Sequence, residues 1–319
     1  MNFSALLSII LTLFVLLICG LVARKVGVIN DASSKGLSRL IISIGQPAMI
    51  IAALANAEYT QENLKIAWQV TLISFAMHTL MALMAFGFCK LLKKNPDQIK
   101  IFEFSLVFGN CGFIGFPILD SILGEGIGSF MGAFYVISFH LFLWTWGIII
   151  LARGREDIRM TPKKAIFNYG TIPCAIGVAM YLFKPIFDVT TEFDFLGKSL
   201  NYLGNLCTPI SVLITGALLA TLPLKKIFTN TRIYLHAAIK LLALPVIFCF
   251  LAKLCGLSDT YLLMVVAMAG VPSAATITML AELYDIEPAY ASQTVGMTSV
   301  LSTATLPVVM LLAEWVCTV

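Results

Sequence analysis

The sequence predicts an all-α membrane protein of ten transmembrane helices, arranged as two inverted five-helix repeats. Three observations predict it. Apolar runs of about 20 residues recur from end to end, each long enough to cross a hydrocarbon core of roughly 30 Å at about 1.5 Å per residue. Only 12% of the residues are charged, against about 25% in a typical soluble domain, so the chain cannot coat itself with polar side chains in water. The basic residues gather in alternate loops, and the most basic loop falls near the middle of the chain.

The spans read 5–24, 36–57, 64–92, 101–123, 128–152, 165–187, 196–223, 232–255, 260–283 and 288–317. The first has no basic residue ahead of it, and Arg24 and Lys25 follow it; it is also longer than the apolar core of a leader peptide, so it reads as a spanning helix. The second opens on Lys35-Gly36-Leu37 and holds Pro47, and the seventh repeats this as Lys198-Ser199-Leu200 and Pro209. The third carries His78 and the fifth His140, both near mid-span. The fourth contains Gly115-Phe116-Pro117, echoed in the ninth by Gly270-Val271-Pro272. The eighth carries Lys240 inside its apolar run.

Sixteen basic residues lie in one set of alternate loops (24–39, 90–100, 153–164 and 225–232). The opposite set has four: Lys65, Lys184, Lys198 and Lys253. By the positive-inside rule the chain sits in the cell membrane with both termini extracytoplasmic. The linker 153–164 is then cytoplasmic and divides the chain into repeats 1–152 and 165–319. Because five is odd, the second repeat inserts upside down.

Composition also excludes. The net charge of +4 is spread over short loops and offers no surface for nucleic acid. The eight cysteines are scattered singly without a C-x-x-C pair, as packing residues rather than metal ligands or disulfides, and no cofactor is expected. No phosphate-binding loop, H-E-x-x-H or G-x-S-x-G occurs, so neither direct use of ATP nor an enzyme is expected.

The most informative stretch is Gly109-Asn110-Cys111-Gly112-Phe113-Ile114-Gly115-Phe116-Pro117. Pro117 lacks a backbone donor and biases residue 116 away from the α region, and each glycine adds about 1 kcal/mol of helix penalty. Together these predict an opening near mid-membrane, tolerated only where backbone is buried in protein or lines a wet cavity. The ninth span offers the counterpart, Ala269-Gly270-Val271-Pro272-Ser273-Ala274-Ala275-Thr276. Interrupted helices in matching positions of inverted repeats point to a transporter's binding site. Half-helices beginning near Pro117 and Ser273 would aim their N-terminal N–H groups at one point, which suits a carboxylate. Proline kinks that only shape packing are the alternative.

The substrate-binding candidates are therefore Asn110, Cys111, Gly112, Pro117, Gly270, Pro272, Ser273 and Thr276. Lys240 joins them as a partner for a carboxylate, unless it snorkels to the surface. His78 and His140 are candidates for a proton relay, or neutral histidines bonded to a neighbouring helix. Gln46, Thr208, Thr278, Gln293 and Thr294 either line the cavity or bond between helices. The outer acids Glu58, Glu62, Asp188, Glu192 and Asp194 read as solvated. Apart from Glu103, Asp120, Glu282 and Glu314 near span ends, no carboxylate lies deep in a span, which favours an anion over a cation as cargo.

The cluster Asn110-x-Gly112-Phe113-x-Gly115-x-Pro117, with Pro272 and the ending Ala291-Ser292 … Leu306-Pro307, resembles the auxin efflux carrier family, which includes bacterial malate and malonate permeases. The resemblance covers essentially the whole chain. It implies a fold similar to sodium/proton antiporters and bile-acid symporters. Broken helices 4 and 9 would cross in a mobile core (helices 3–5 and 8–10) against a scaffold of helices 1, 2, 6 and 7, with homodimerisation through helices 2 and 7. It also implies secondary transport of a small mono- or dicarboxylate by alternating access, with H+ or Na+ as possible coupling ion. Two features depart from plant members: Val271 and Ser273 flank Pro272 where an asparagine is common, and the large central cytoplasmic domain of long-looped members is lacking. The residues themselves leave open an ion-coupled exchanger or channel, and a membrane sensor that binds the anion without moving it.

Overall fold

The computed structural model describes residues 3–90, 95–124, 126–155, 161, 163, 167–221 and 229–318. Most of the basic linker 153–164 lies outside them, as do Lys93, Lys94, Lys225 and Lys226. The described residues are helical, with no strand among them. Along the first half run α1 (Phe3–Lys25), α2 (Asp31–Leu40), α3 (Gln46–Ala55), α4 (Gln61–Lys90), α5 (Pro96–Val107), α6 (Phe116–Leu123), α7 (Ile127–Phe142) and α8 (Ile148–Ala152). The second half has α9 (Thr171–Phe183), the single turn α10 (Val189–Glu192), α11 (Asp194–Asn205), α12 (Cys207–Leu219), α13 (Thr231–Ala238), α14 (Leu244–Leu254), α15 (Asp259–Gly270), α16 (Thr276–Leu283) and α17 (Pro288–Thr318).

Among the described residues, six continuous helical runs are long and apolar enough to cross a membrane: Asp31–Ala55, Gln61–Lys90, Ile127–Ala152, Asp194–Leu219, Thr231–Leu254 and Pro288–Thr318. Their outer faces carry large apolar side chains, with Trp68 65% and Leu311 62% exposed, a surface that lipid satisfies and water does not. Helix starts are set locally. Asn30 accepts from the Ser33 N–H while the Asn30 N–H donates back to the Ser33 hydroxyl, a reciprocal cap on α2. Asn95 and Asn230 cap α5 and α13 in the same spirit.

Four π turns occur among the described residues, at Ile41–Gly45, Cys111–Gly115, Leu143–Gly147 and Ile239–Ala243. Three of these stand immediately before a proline at the second residue of the next helix: Pro47, Pro117 and Pro245. The residue ahead of each proline donates five residues back: Gln46 to Ile41, Phe116 to Cys111 and Leu244 to Ile239. A wider turn moves the carbonyl that the proline ring would strike and leaves its missing N–H without a consequence. This corrects the reading of Pro117. Phe116 is fully helical (φ −60°, ψ −54°), and Pro117 rides inside the helix rather than opening it.

The openings lie elsewhere. In the fourth span the helix stops at Val107, and Phe108–Asn110 run non-helically, several residues before Pro117. In the ninth it stops at Gly270, and the second half starts at Thr276 rather than at Ser273. Around these breaks α4 packs on α5 and α7, α6 on α7, α14 on α15, and α17 on α15 and α16. Separately, α1 lies against α12, and α3 against α9 and α11. The α1–α12 contact is backbone-close because both helices put a glycine at it. A Cβ at Gly20 would stand 2.1 Å from the Leu213 carbonyl oxygen, and one at Gly216 would stand 2.0 Å from that of Leu17.

Candidate functional site

The two breaks meet. Gly109 and Ser273 form an isolated antiparallel β bridge. The Asn110 N–H donates to the Pro272 carbonyl at 2.7 Å, and the Ala274 N–H to the Phe108 carbonyl at 3.0 Å. Backbone groups freed by each interruption are thus satisfied by the other, which removes most of the penalty of open backbone away from water. Gly109 is required by this approach: a Cβ there would lie 2.6 Å from Val271 Cγ2 and 3.2 Å from Lys240 Nζ. Lys240 is fully buried, and its ammonium donates to the Leu106 carbonyl at 3.2 Å, at the carboxyl end of α5 where helix dipoles favour a cation.

Beside the bridge lies a cavity of about 380 Å³. One wall is the α3 stretch Met49–Asn56, another is Asn201, Gly204, Asn205 and Thr208 at the α11–α12 turn. The facing wall is Gly112, Phe116 and Pro117, completed by Val136 and His140 of α7. His140 is 1% exposed, and neither ring nitrogen has a hydrogen-bond partner among the described residues. Gly112 belongs to the start of the half-helix that follows the break, where N–H groups lack intrahelical acceptors and carry partial positive charge. The Asn56 side-chain amide donates to Asn201 Oδ1 at 3.0 Å, tying the end of α3 to α11 at the cavity's edge. A second space of about 680 Å³ shares Ala53, Asn56 and Phe116 with the first and reaches Glu58, Glu62 and Asn63 in the loop and first turn before α4. The two spaces adjoin at these shared residues, and the second forms an outer vestibule beside the 56–63 segment. No group of three or more His, Cys, Asp or Glu able to hold a metal occurs among the described residues.

A family model described as "Membrane transport protein" matches this chain over residues 5–163 and again over 156–310. The chain belongs to that family, the auxin efflux carriers. Relatives of this chain include an uncharacterized transporter of Methanocaldococcus jannaschii, 21% identical over 290 residues, which cover 88% of this chain and 90% of that protein. Another is an uncharacterized transporter of Methanothermobacter thermautotrophicus, 22% identical over 281 residues, covering 87% and 88%. The chain is accordingly a multi-pass membrane protein of a transporter family.

Within this auxin efflux carrier fold the residues singled out from sequence separate into three groups. Gly112, Pro117 and His140 line the large cavity, together with Thr208. Asn110 lines a different and much smaller space, about 30 Å³, against Leu13, Leu17, Thr215, Ala275 and Val295. That is room for about one water. The caps of the two half-helices, Asn110 and Ala275, line this small space together, whereas Gly112, two residues further on, lines the larger cavity.

The remainder are packed. Cys111 is buried, and Gly270 faces Leu306, Val309 and Pro245. Pro272 contributes its carbonyl to the bridge. Thr276 accepts from Gln46 at 3.0 Å, a contact between α3 and α16. Ser273 turns away from the cavity, donating to the Ser105 carbonyl at 3.2 Å. His78 donates from Nδ1 to the Ser74 carbonyl at 2.8 Å, touches the Ser138 hydroxyl at 3.0 Å and is enclosed by Tyr135, Phe139 and Phe142. Those contacts are the bonded, packing geometry rather than an open relay. Glu103 is fully buried but paired with both guanidinium nitrogens of Arg153, and buried Glu282 accepts from Ser38 at 2.8 Å.

Sequence reasoning missed Asn56, at the end of the second span, and Asn201 and Asn205, inside the run Asp194–Leu219. It also missed His236. This fully buried histidine donates from Nε2 to Ser273 Oγ at 3.1 Å and stands edge-on to Phe102. Its signal was available: His236 lies four residues before Lys240, on the same helix face.

Proposed function

We propose that this protein is a secondary transporter that moves a small organic anion, a carboxylate, by alternating access, and that the 380 Å³ cavity beside the helix breaks is where the anion binds. The observation that carries this reading is His140, buried in the cavity wall with both ring nitrogens unpartnered among the described residues. An unmet polar group in such a place costs about 1–3 kcal/mol, which a hydrogen-bonding ligand recovers. Asn56, Asn201, Asn205, Thr208 and the half-helix start at Gly112 add neutral donors and a partial positive charge. Among the described residues no carboxylate lines this cavity, so none there neutralises a cation.

In the same reading the chain has ten spans in inverted halves 1–152 and 165–319, both termini outside. The elements around the breaks (α4–α8 and α13–α17) form the moving core. The set α1–α3, α9, α11 and α12 forms the scaffold, in keeping with the way each set packs internally. The cavity lies between the two sets, where relative motion would open it to alternate sides. An exposed apolar face on α11, with Phe195 64% and Tyr202 75% exposed, suits a homodimer through the second and seventh spans.

The test is counterflow in proteoliposomes with a panel of labelled carboxylates, paired with thermal unfolding of the purified protein. A ligand at about a hundredfold its dissociation constant raises the apparent stability by roughly 2.7 kcal/mol. The expected result is stabilisation and counterflow by at least one carboxylate. Stabilisation without counterflow would mean a sensor, and single-channel current steps would remove the carrier.

A further inference from the structure

We infer that the cavity selects monocarboxylates with a small apolar body and discriminates against dicarboxylates. The inference rests on the assignment of the cavity as the anion site and narrows it to a substrate class. Its basis is the charge inventory around His140. The polar lining consists of the imidazole, three asparagine amides, one threonine hydroxyl and the start of one half-helix. Among the described residues no lysine or arginine lines the cavity.

Two lysines come near, and both are committed elsewhere. Lys240 lies on the far side of the broken stretch, against Gly109, with its ammonium on the Leu106 carbonyl. Lys184 donates to the carbonyls of Ala55 and Ala57 at 3.0 Å each, with Asp188 at 3.7 Å. What is left to offset an anion inside the cavity is neutral hydrogen bonding plus one helix start, equivalent to about half a positive charge. That offsets about half the charge of one carboxylate and leaves the rest to the neutral hydrogen-bond donors. A second would be taken from water into a site with no cation to meet it, and desolvation then exceeds what neutral donors return.

The approach discriminates in the same sense. The outer vestibule carries Glu58 and Glu62, whose field repels a dianion about twice as strongly as a monoanion. The rest of the inner wall is Met49, Ile50, Ala52, Ala53, Phe116 and Val136, which offers an uncharged chain the apolar contact that a second carboxylate cannot use.

The experiment uses the full-length purified protein at neutral pH and matched straight-chain acids, butyrate against succinate and hexanoate against adipate. Thermal shift and proteoliposome uptake are read for each. The monoacids should act at concentrations about tenfold or more below their diacid partners. A charge placed in the wall should reverse the order: Asn205→Lys is expected to gain succinate binding and lose preference for butyrate. In uptake, Glu58→Gln with Glu62→Gln should narrow the gap, because these exposed residues act on entry. Succinate bound as tightly as butyrate by the wild type overturns the selectivity while leaving the anion site in place. Binding of none of the four acids overturns the site assignment, and the selectivity with it.

Discussion

The Asn110 N–H reaches across to the Pro272 carbonyl, 2.7 Å away, and joins two helix breaks separated by more than half the chain. Neither break is tolerable alone in a bilayer, because an unpaired backbone group in hydrocarbon costs several kcal/mol. Together they make a small antiparallel patch that holds the half-helix start at Gly112 against the cavity. The functional geometry therefore depends on how closely Phe108–Asn110 and Val271–Ala275 approach.

Gly109→Ala tests that approach. The added methyl would stand 2.6 Å from Val271 Cγ2, so the patch must spread. Overpacking of this kind costs about 1–3 kcal/mol. A lower unfolding temperature in detergent is expected, with transport falling further than stability. An unchanged melting curve would mean that the patch has room for the methyl and does not depend on close approach.

Asn110→Ala leaves the backbone bond to Pro272 intact, since only the side chain goes. The protein should remain folded in the membrane and still bind ligand in the large cavity, which Asn110 does not line. Uptake should be abolished, because the side chain stands at the helix break, in the small space that it lines together with Ala275, Leu13 and Thr215. Near-normal uptake by this variant would remove Asn110 from the route.

The histidines should behave oppositely. His140→Leu deletes a buried polar group with no partner among the described residues, so stability should hold or rise by up to about 1 kcal/mol, while ligand-induced stabilisation is lost. His78→Ala breaks bonds to Ser74 and Ser138 and leaves a hole among three aromatic rings, and should lose about 2–4 kcal/mol. Thermal unfolding with and without ligand separates the two. Equal destabilisation would contradict the different roles assigned to them.

Lys240→Met keeps most of the side-chain volume while removing a charge from a fully buried site. Replacing a buried ion with an apolar residue of similar size is often neutral or stabilising, so the unfolding temperature should not fall. Lys240→Ala, which adds a cavity, should lose about 2–4 kcal/mol. A large loss in the methionine variant would show that the bond to Leu106 holds the break together.

Much of the architecture was legible in the residues. Span positions follow from apolar runs that only a bilayer can solvate, and Gly109-Asn110 and Val271-Pro272 stand in the sequence as places where a helix is weakest. Pro117 misled, because the backbone has a cheaper response to proline than opening: the π turns before Pro47, Pro117 and Pro245 absorb each ring while the helix continues.

What the sequence by itself determined is the membrane class and the existence of an interruption in each half, properties set by local composition and helix propensity. Only the tertiary structure decided which polar groups share a cavity. Gly112 and His140 meet Asn56, Asn201 and Thr208 there, while Ser273 and Lys240, equally plausible on paper, face away. The reason is physical. A residue's propensity is fixed by its neighbours in the chain, whereas the face it presents depends on the rotation and register of the whole helix, which packing against distant helices sets.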